Sequence, residues 1–390
     1  MKKKKILKIW PIWVPGIRYH DHYLSDEMKS DDVLTYFIQP RYTPAEYKDF
    51  TGKNERFENL YNASFLDYFL FFGKPVPYRL YGFVKFIKKL NPDVVHIFGI
   101  SNFTTVFALI ALRVAKYKNK VIFNDHSDPN ERKTGFFSWC YYKFFNIFYL
   151  FLLKGRYSII VPDSATKFEL ISRYGQSILH LVDEVPLGYN HSIFNSDNNF
   201  RNKEGPLIIG FAGKINPKKN LEQLILASMS FKKDEIEIRL AGFNNGELSA
   251  YQKSFLEYIE SFDRKNIHGS GFFSDPLELS KFYSNIDVAV YPGSISITTL
   301  EASGCGTPVI IYDSYPGLQH RVDSNRGYLF KTQEELVSLI EFYLNLKRKG
   351  SIDHVAISRN SYRYSWAAIK NHYYYIYGFT QHRPVRILQV

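Results

Sequence analysis

Short blocks of consecutive apolar, often β-branched residues recur along this chain, separated by stretches with apolar residues at helical spacing. The blocks are 5–10, 93–99 (DVVHIFG), 121–123, 159–162, 207–213 (LIIGFAG), 236–240, 286–291 (IDVAVY) and 308–312. A continuous apolar run of this length suits a strand covered on both faces, as in a parallel sheet flanked by helices. Helical patterns fall at 221–230, 276–283 and 362–377, the last rich in aromatic residues. Strands alternating with helices predict a parallel α/β fold. Such folds bind ligands at the carboxyl ends of their strands, so the residues that follow each block carry the functional signal.

A length of 390 residues with 45% hydrophobic content predicts two domains with separate cores. Asn195, Asp197, Asn198, Asn199, Arg201 and Asn202 make a polar cluster that reads as a linker. The expected division is 1–190, a linker at 191–205, a second domain at 206–361, and a final segment at 362–390. No repeat of solenoid period is present.

The richest segment is 284–313. A strand ends at Pro292-Gly293, and the small residues Ser294, Ser296, Thr298 and Thr299 follow. A short helix pattern over 300–305 then ends at Gly304 and Gly306, and Pro308 opens another strand. Free N–H groups where loop becomes helix favour an anion, and Glu301 is placed to meet a sugar hydroxyl. An ordinary strand–loop–helix–strand unit, with Glu301 a solvated acid, fits the same local pattern. A second segment joins the block 207–213 to Lys214-Ile215-Asn216-Pro217-Lys218-Lys219-Asn220. Glycine permits close approach, and lysines supply charge for a leaving diphosphate. Alone, this too reads as a basic solvated loop. A third, weaker segment is His268-Gly269-Ser270-Gly271-Phe272-Phe273. It lacks the following helix and acidic partner of a dinucleotide site.

Leu300-Glu301-Ala302 and Cys305-Gly306-Thr307-Pro308-Val309-Ile310 resemble the C-terminal domain of retaining glycosyltransferases of the GT-B fold, specifically family 4. Gly213, Lys214 and Lys219 resemble that family's Gly-Arg-x-x-x-x-Lys motif, with lysine in place of arginine, which keeps charge but loses the bidentate fork. The resemblance implies an α/β GT-B fold: two Rossmann-like domains whose parallel sheets face an interdomain cleft, with the last helix crossing back to the first domain. It implies transfer of a sugar, with retention, from a nucleoside-diphosphate sugar to a glycan or lipid-linked saccharide in cell-surface polysaccharide or glycoconjugate synthesis. The donor is then a UDP or GDP sugar, and no cofactor is needed.

By the same resemblance, Glu301 binds the ribose. Lys214, Lys219, Gly213 and the main chain at Ser296, Ile297 and Thr298 hold the diphosphate, and Phe272 with Phe273 walls the base. Gly16 resembles the family's N-terminal glycine loop, and His126 its histidine beside the donor sugar. His20, His22 and His96 are weaker candidates, and Asp125 and Asp128 position His126 or the acceptor. The family usually carries a second glutamate across the loop before Glu301, in contact with the donor sugar. Here that position is Gly293, and the loop is shorter.

Charge and cysteines narrow the picture. Cys140 and Cys305 are far apart in sequence, which fits a reducing compartment and neither a disulfide scaffold nor a zinc site. No Asp-x-Asp triplet is present, so lysines are expected to replace a metal on the diphosphate. The net charge of +12 raises nucleic acid as a partner, but no compact basic recognition motif is present. Arg79, Lys85, Lys88 and Lys89, with Tyr81, Phe83, Phe86 and Ile87, form a basic aromatic helix suited to an anionic membrane surface. The apolar stretch 136–153 contains Ser138, Lys143 and Asn146 and is expected to be a buried or interfacial helix. The expected location is cytoplasmic, peripheral on the inner face of the membrane; residues 1–10 do not form a secretory signal. The rival readings are a nucleotide-sugar epimerase or hydrolase of related fold, and a catalytically silent GT-B protein.

Overall fold

The computed structural model describes residues 3–11, 20–29, 32–40, 63–71, 74–100, 102–125, 140, 143–144, 157–197, 201–202, 204–262, 264–323 and 325–384. The chain divides into two compact units. One comprises Met1–Pro186 together with Lys370–Leu388, and the other comprises Leu187–Ile369. The stretch 187–205 clusters with the second unit. Its Arg201 donates to the carbonyls of Ile286 (2.7 Å), Tyr283 (3.0 Å) and Cys305 (3.2 Å) and to Thr307 Oγ1 (2.5 Å). A polar segment read as a tether is therefore pinned by a buried guanidinium.

The first unit contains β1 (Lys4–Ile9), β2 (Val33–Pro40), β3 (Ala63–Leu66), a separate antiparallel hairpin of β4 (Tyr68–Phe71) and β5 (Lys74–Pro77), then β6 (Val94–Phe98), β7 (Lys120–Asn124), β8 (Tyr157–Val161) and β9 (Val182–Glu184). Seven of these form one sheet in the order β3-β2-β1-β6-β7-β8-β9. Every pairing in it is parallel. Helices Leu80–Leu90 and Phe103–Val114 bury Phe83, Val84, Ile87, Phe107 and Leu112 in a common core with Leu7, Val95, Phe123 and Ile159 of the strands. Phe83 and Ile87, expected on a basic aromatic surface, are core residues, because the exposed stripe of that helix is the lysine stripe. His96 is fully buried on β6, where its Nδ1 lies 2.7 Å from the hydroxyl of Tyr377.

The second unit contains β10 (Leu207–Ala212), β11 (Ile236–Phe243), β12 (Ile267–Gly271), β13 (Val288–Tyr291), β14 (Val309–Tyr312) and β15 (Gly327–Phe330). Its parallel six-stranded sheet has the order β12-β11-β10-β13-β14-β15. The chain moves outward from β10 to β12, then returns to the other side of β10 as β13. The strand order thus reverses between β10 and β13, and such a switch point leaves a crevice at the carboxyl ends of the two strands. All of β10 and β13 is buried.

The terminal pattern 362–377 is not one helix. Tyr362–Tyr364 makes a 3-10 turn, Ser365 is extended at φ −71° and ψ 152°, and the helix Trp366–Tyr377 follows. The break is held by a short ladder: Tyr189 N–H donates to Tyr364 O (3.1 Å), and Trp366 N–H donates to Tyr189 O (3.0 Å). From Lys370 onward this helix belongs to the first unit, where the Tyr374 hydroxyl reaches Met28 O (3.5 Å).

Candidate functional site

The two loops that flank the switch point in the second unit are the two motif loops, and they are bound to each other. After β10 the chain passes through Gly213 and Lys214 into a 3-10 turn, Pro217–Lys219, capped by the Asn216 side chain, which accepts from Lys218 N–H (3.0 Å). After β13 it passes through Pro292 and Gly293. Ser294 N–H donates to Lys218 O (2.8 Å), and Lys219 Nζ donates back to Ser294 O (2.7 Å). Asn220 Nδ2 reaches Pro292 O at 3.4 Å.

Gly293 sits under this clasp. A Cβ there would lie 2.3 Å from Lys218 O and 2.7 Å from the Lys219 carbonyl carbon. No side chain fits, so the absence of the family's second glutamate is built into the packing of the two loops. Gly213 and Gly242 make a similar approach of main chain to main chain. A Cβ on Gly242, whose φ is +134°, would fall 1.8 Å from Gly213 O. Only glycine combines that φ with that contact.

Beyond the clasp the loop turns into the helix Thr298–Gly304. Ser296 Oγ and Thr298 Oγ1 are 2.6 Å apart, Thr299 Oγ1 donates to Ser296 O (3.1 Å), and the buried Tyr291 hydroxyl donates to Thr298 O (3.1 Å). The N–H groups of Ser296, Ile297 and Thr298 have no acceptor among the described residues. The helix has 7 residues, too short for a strong macrodipole, so any anion affinity here rests on these amides and the lysines.

Glu301, one turn in, is partly buried. Its carboxyl makes no hydrogen bond or ion pair among the described residues, and loss of solvent pushes its pKa up to about 8. A desolvated carboxyl without a partner is prepared to take hydroxyl groups from a ligand.

Of the expected site residues, the structure gathers Gly213, Lys219, Ser296, Ile297, Thr298 and Glu301 around the switch point. Lys214 begins the same loop and is exposed. Phe272 lies farther off, just past the edge strand β12, which β11 separates from β10. Its N–H donates to Phe243 O (2.9 Å), its carbonyl accepts from Asn245 (2.9 Å), and its ring is half-buried. Phe273 instead packs on Phe282, with ring centroids 5.6 Å apart. Gly16, His126, Asp128 and most of the apolar stretch 136–153 lie outside the described residues, as does the side chain of His20. Among the described residues, no helix is long and apolar enough to cross a membrane. His22 and His96 are buried in aromatic packing, His22 on Phe37 (4.8 Å) and His96 on Phe98 (4.8 Å).

Arg321 was missed by the sequence reading. It is 3% exposed and donates to Thr299 Oγ1 (3.3 Å), on the same short helix as Glu301. Beside it, His320 Nδ1–H donates to Gly317 O (2.7 Å), and burial lowers its pKa to about 3, so it is neutral. Nothing in the sequence around Arg321 marks it, because its contact is 22 residues distant.

Comparison with known proteins agrees with this architecture. Residues 16–186 match the model of Glycosyltransferase Family 4, and residues 192–363 match that of Glycosyl transferases group 1. A D-inositol 3-phosphate glycosyltransferase of Paenarthrobacter aurescens (strain TC1) is 27% identical over 189 residues, which cover 45% of this chain and 45% of that protein. The chain thus spans less than half the length of this curated relative. A glycosyltransferase from Rickettsia africae superposes with a TM-score of 0.71 at 14% identity, covering 97% of this chain and 99% of that one. The Anabaena protein HepE, crystallised with UDP and glucose, superposes with a TM-score of 0.67 at 12% identity, covering 97% and 100%. The fold is GT-B.

Proposed function

We propose that this chain, with a glycosyltransferase domain in each half and the GT-B fold, moves a sugar from a nucleoside-diphosphate sugar to a glycan or lipid-linked saccharide, with retention. The observation that carries the reading is the clasp at the switch point: two loops bound to each other, free amides beyond them, and a desolvated carboxyl one turn later. Glu301 holds the ribose hydroxyls. The amides of Ser296, Ile297 and Thr298, with Lys214, take the diphosphate. Gly213 lets it approach the chain, and Phe272 borders the base. Lys219 both ties the loops and adds positive charge, so charge growing on the leaving diphosphate is met by lysine without a metal. By resemblance, His126 and Gly16 serve the sugar and acceptor side. The acceptor hydroxyl attacks on the face that the nucleotide leaves, and a phosphate oxygen takes its proton, so no strong protein base is required.

HepE binds UDP, which supports a UDP donor for this chain, with GDP the next choice. Gly293 keeps a second reading open. With no room for the second glutamate, a protein that binds nucleotide without transferring sugar fits the same packing.

The test is thermal stability against UDP, GDP, dTDP, ADP and CMP, each with EDTA. One nucleoside diphosphate should raise the midpoint, and Glu301→Ala should abolish the shift. No shift with any of them would reject the donor site. A shift without transfer to any glycan acceptor would favour the silent reading.

A further inference from the structure

The loop after β13 is braced by a buried cation that stands two hydrogen bonds away from its amides. Arg321 lies in the short helix Gln319–Val322, on the segment that follows β14. Its Nη1 donates to Thr299 Oγ1 (3.3 Å), and Thr299 Oγ1 donates in turn to Ser296 O (3.1 Å). Thr299 is fully buried, so this hydroxyl is out of reach of solvent. It accepts from a cation and passes its own proton to a main-chain carbonyl, and each bond of such a chain strengthens the next.

The carbonyl of Ser296 and the N–H of Ile297 belong to one peptide group. That N–H has no acceptor among the described residues. Donation to the carbonyl polarises the peptide and makes its N–H a better donor. It also fixes the direction of the N–H, and a preset amide loses less freedom when an anion arrives.

Arg321 is itself held in place. The fully buried Arg326 donates to His320 O and to Asp323 O (3.1 Å), the two carbonyls that flank Arg321 within a few residues, and its guanidinium stacks 4.3 Å from the Tyr364 ring. Asp323, the acid of this turn, is engaged by Arg326 and Arg363. A second brace comes from β13, whose Tyr291 hydroxyl donates to Thr298 O (3.1 Å) and lies 3.2 Å from the Tyr283 hydroxyl.

We propose that Arg321 is a positioning residue of the donor site: through the Thr299 hydroxyl it sets and polarises the Ser296–Ile297 peptide that receives the diphosphate. The inference rests on the donor reading above. Arg321 does not touch the ligand, and its effect is confined to the phosphate portion. The nucleoside portion is left to Glu301 and Phe272. An arginine that served only the packing of the second unit would act on both portions alike.

The experiment measures dissociation constants of UDP and of uridine for the full chain by NMR titration, with GDP and guanosine in their place if the guanine nucleotide is the one that raises the melting midpoint. Arg321→Met and Thr299→Val should each weaken the diphosphate about tenfold and leave the nucleoside within about threefold of wild type. The double variant should bind no more weakly than the worse single one, because both break the same chain. Thr299→Ser keeps the hydroxyl and should bind UDP as wild type does. Thr299→Val nearly conserves volume, so it carries the test if Arg321→Met does not fold. Wild-type affinity for UDP in Thr299→Val, or equal losses for UDP and uridine, would overturn the inference while leaving the donor site standing. A wild-type protein that binds no nucleoside diphosphate would overturn the donor reading and this inference with it.

Discussion

The two sheets finish differently at their carboxyl ends. In the second unit the strands run out into glycine: Gly213 after β10, Gly242 within the end of β11, Gly271 at the end of β12 and Gly293 after β13. Main chain lies against main chain there, with Gly242 on Gly213 O and Gly293 on Lys218 O. In the first unit the ends of β1, β2 and β7 carry large or polar side chains, Trp10, Gln39 and Asn124, and the one described glycine there, Gly99 after Phe98 of β6, lies against a side chain, Asn102, rather than main chain. Trp10 stacks on Phe98 at 4.2 Å, and both amide atoms of Asn124 are buried without a hydrogen-bond partner among the described residues. A surface built from backbone has the same chemistry whatever the surrounding sequence, and it suits a constant ligand group such as a diphosphate. A surface built from side chains is tuned residue by residue, and it suits a variable partner such as an acceptor.

The largest effect should come from adding one methyl group to the backbone surface. Gly242→Ala combines a φ of +134° with a contact 1.8 Å from Gly213 O. It should cost about 3 kcal/mol or more, or prevent folding, measured by denaturant unfolding. Gly293→Ala should cost somewhat less, about 1–3 kcal/mol, because the Pro217–Lys219 turn can lift away. It should also abolish the nucleotide-induced shift, since lifting the turn breaks the Lys219–Ser294 tie. A Gly293→Ala protein that keeps wild-type stability and shift would break the comparison.

A pH experiment sharpens it. The Glu301 carboxyl is raised from 4.5 to about 8, so between those values the folded protein binds a proton that the unfolded chain lacks. Stability from this group is therefore full below pH 4.5 and is lost as pH rises through about 8. Glu301→Gln has no such loss. It should match wild type near pH 4.5 and exceed it by up to about 5 kcal/mol at pH 8.5, read from unfolding curves at each pH. The smallest effect is expected in the first unit. Asn124→Leu should be neutral or stabilising by up to about 1 kcal/mol, because a buried amide without partners is removed. If the side-chain surface serves the acceptor, transfer should fall even though stability does not.

Where ends of strands are made of backbone, the sequence could be read. Glycines and prolines announce turns, and the apolar blocks at 207–213, 286–291 and 308–312 place β10, β13 and β14 to within a residue or two. The clasp itself was not legible. Gly293 looked like a missing acid, and only the position of Lys218 O explains it as a contact. Arg201 hid in a polar stretch, because its acceptors are carbonyls that any residue supplies. Arg321 hid because a buried guanidinium and an exposed one share the same letter. The β4–β5 hairpin was not legible because its strands are 4 residues each and Pro75 and Pro77 discourage a strand reading.

The return of the last helix to the first unit has a consequence for biosynthesis. His96 is buried beneath Tyr377, at the far end of the chain. At ordinary elongation rates the ribosome needs on the order of ten to forty seconds to travel from Pro186 to Lys370. Throughout that interval the nascent first unit presents the face of its sheet around β6 without the helix that covers it. The domain made first is therefore completed last. A chaperone that shields the open face should find its substrate while the second unit is still emerging.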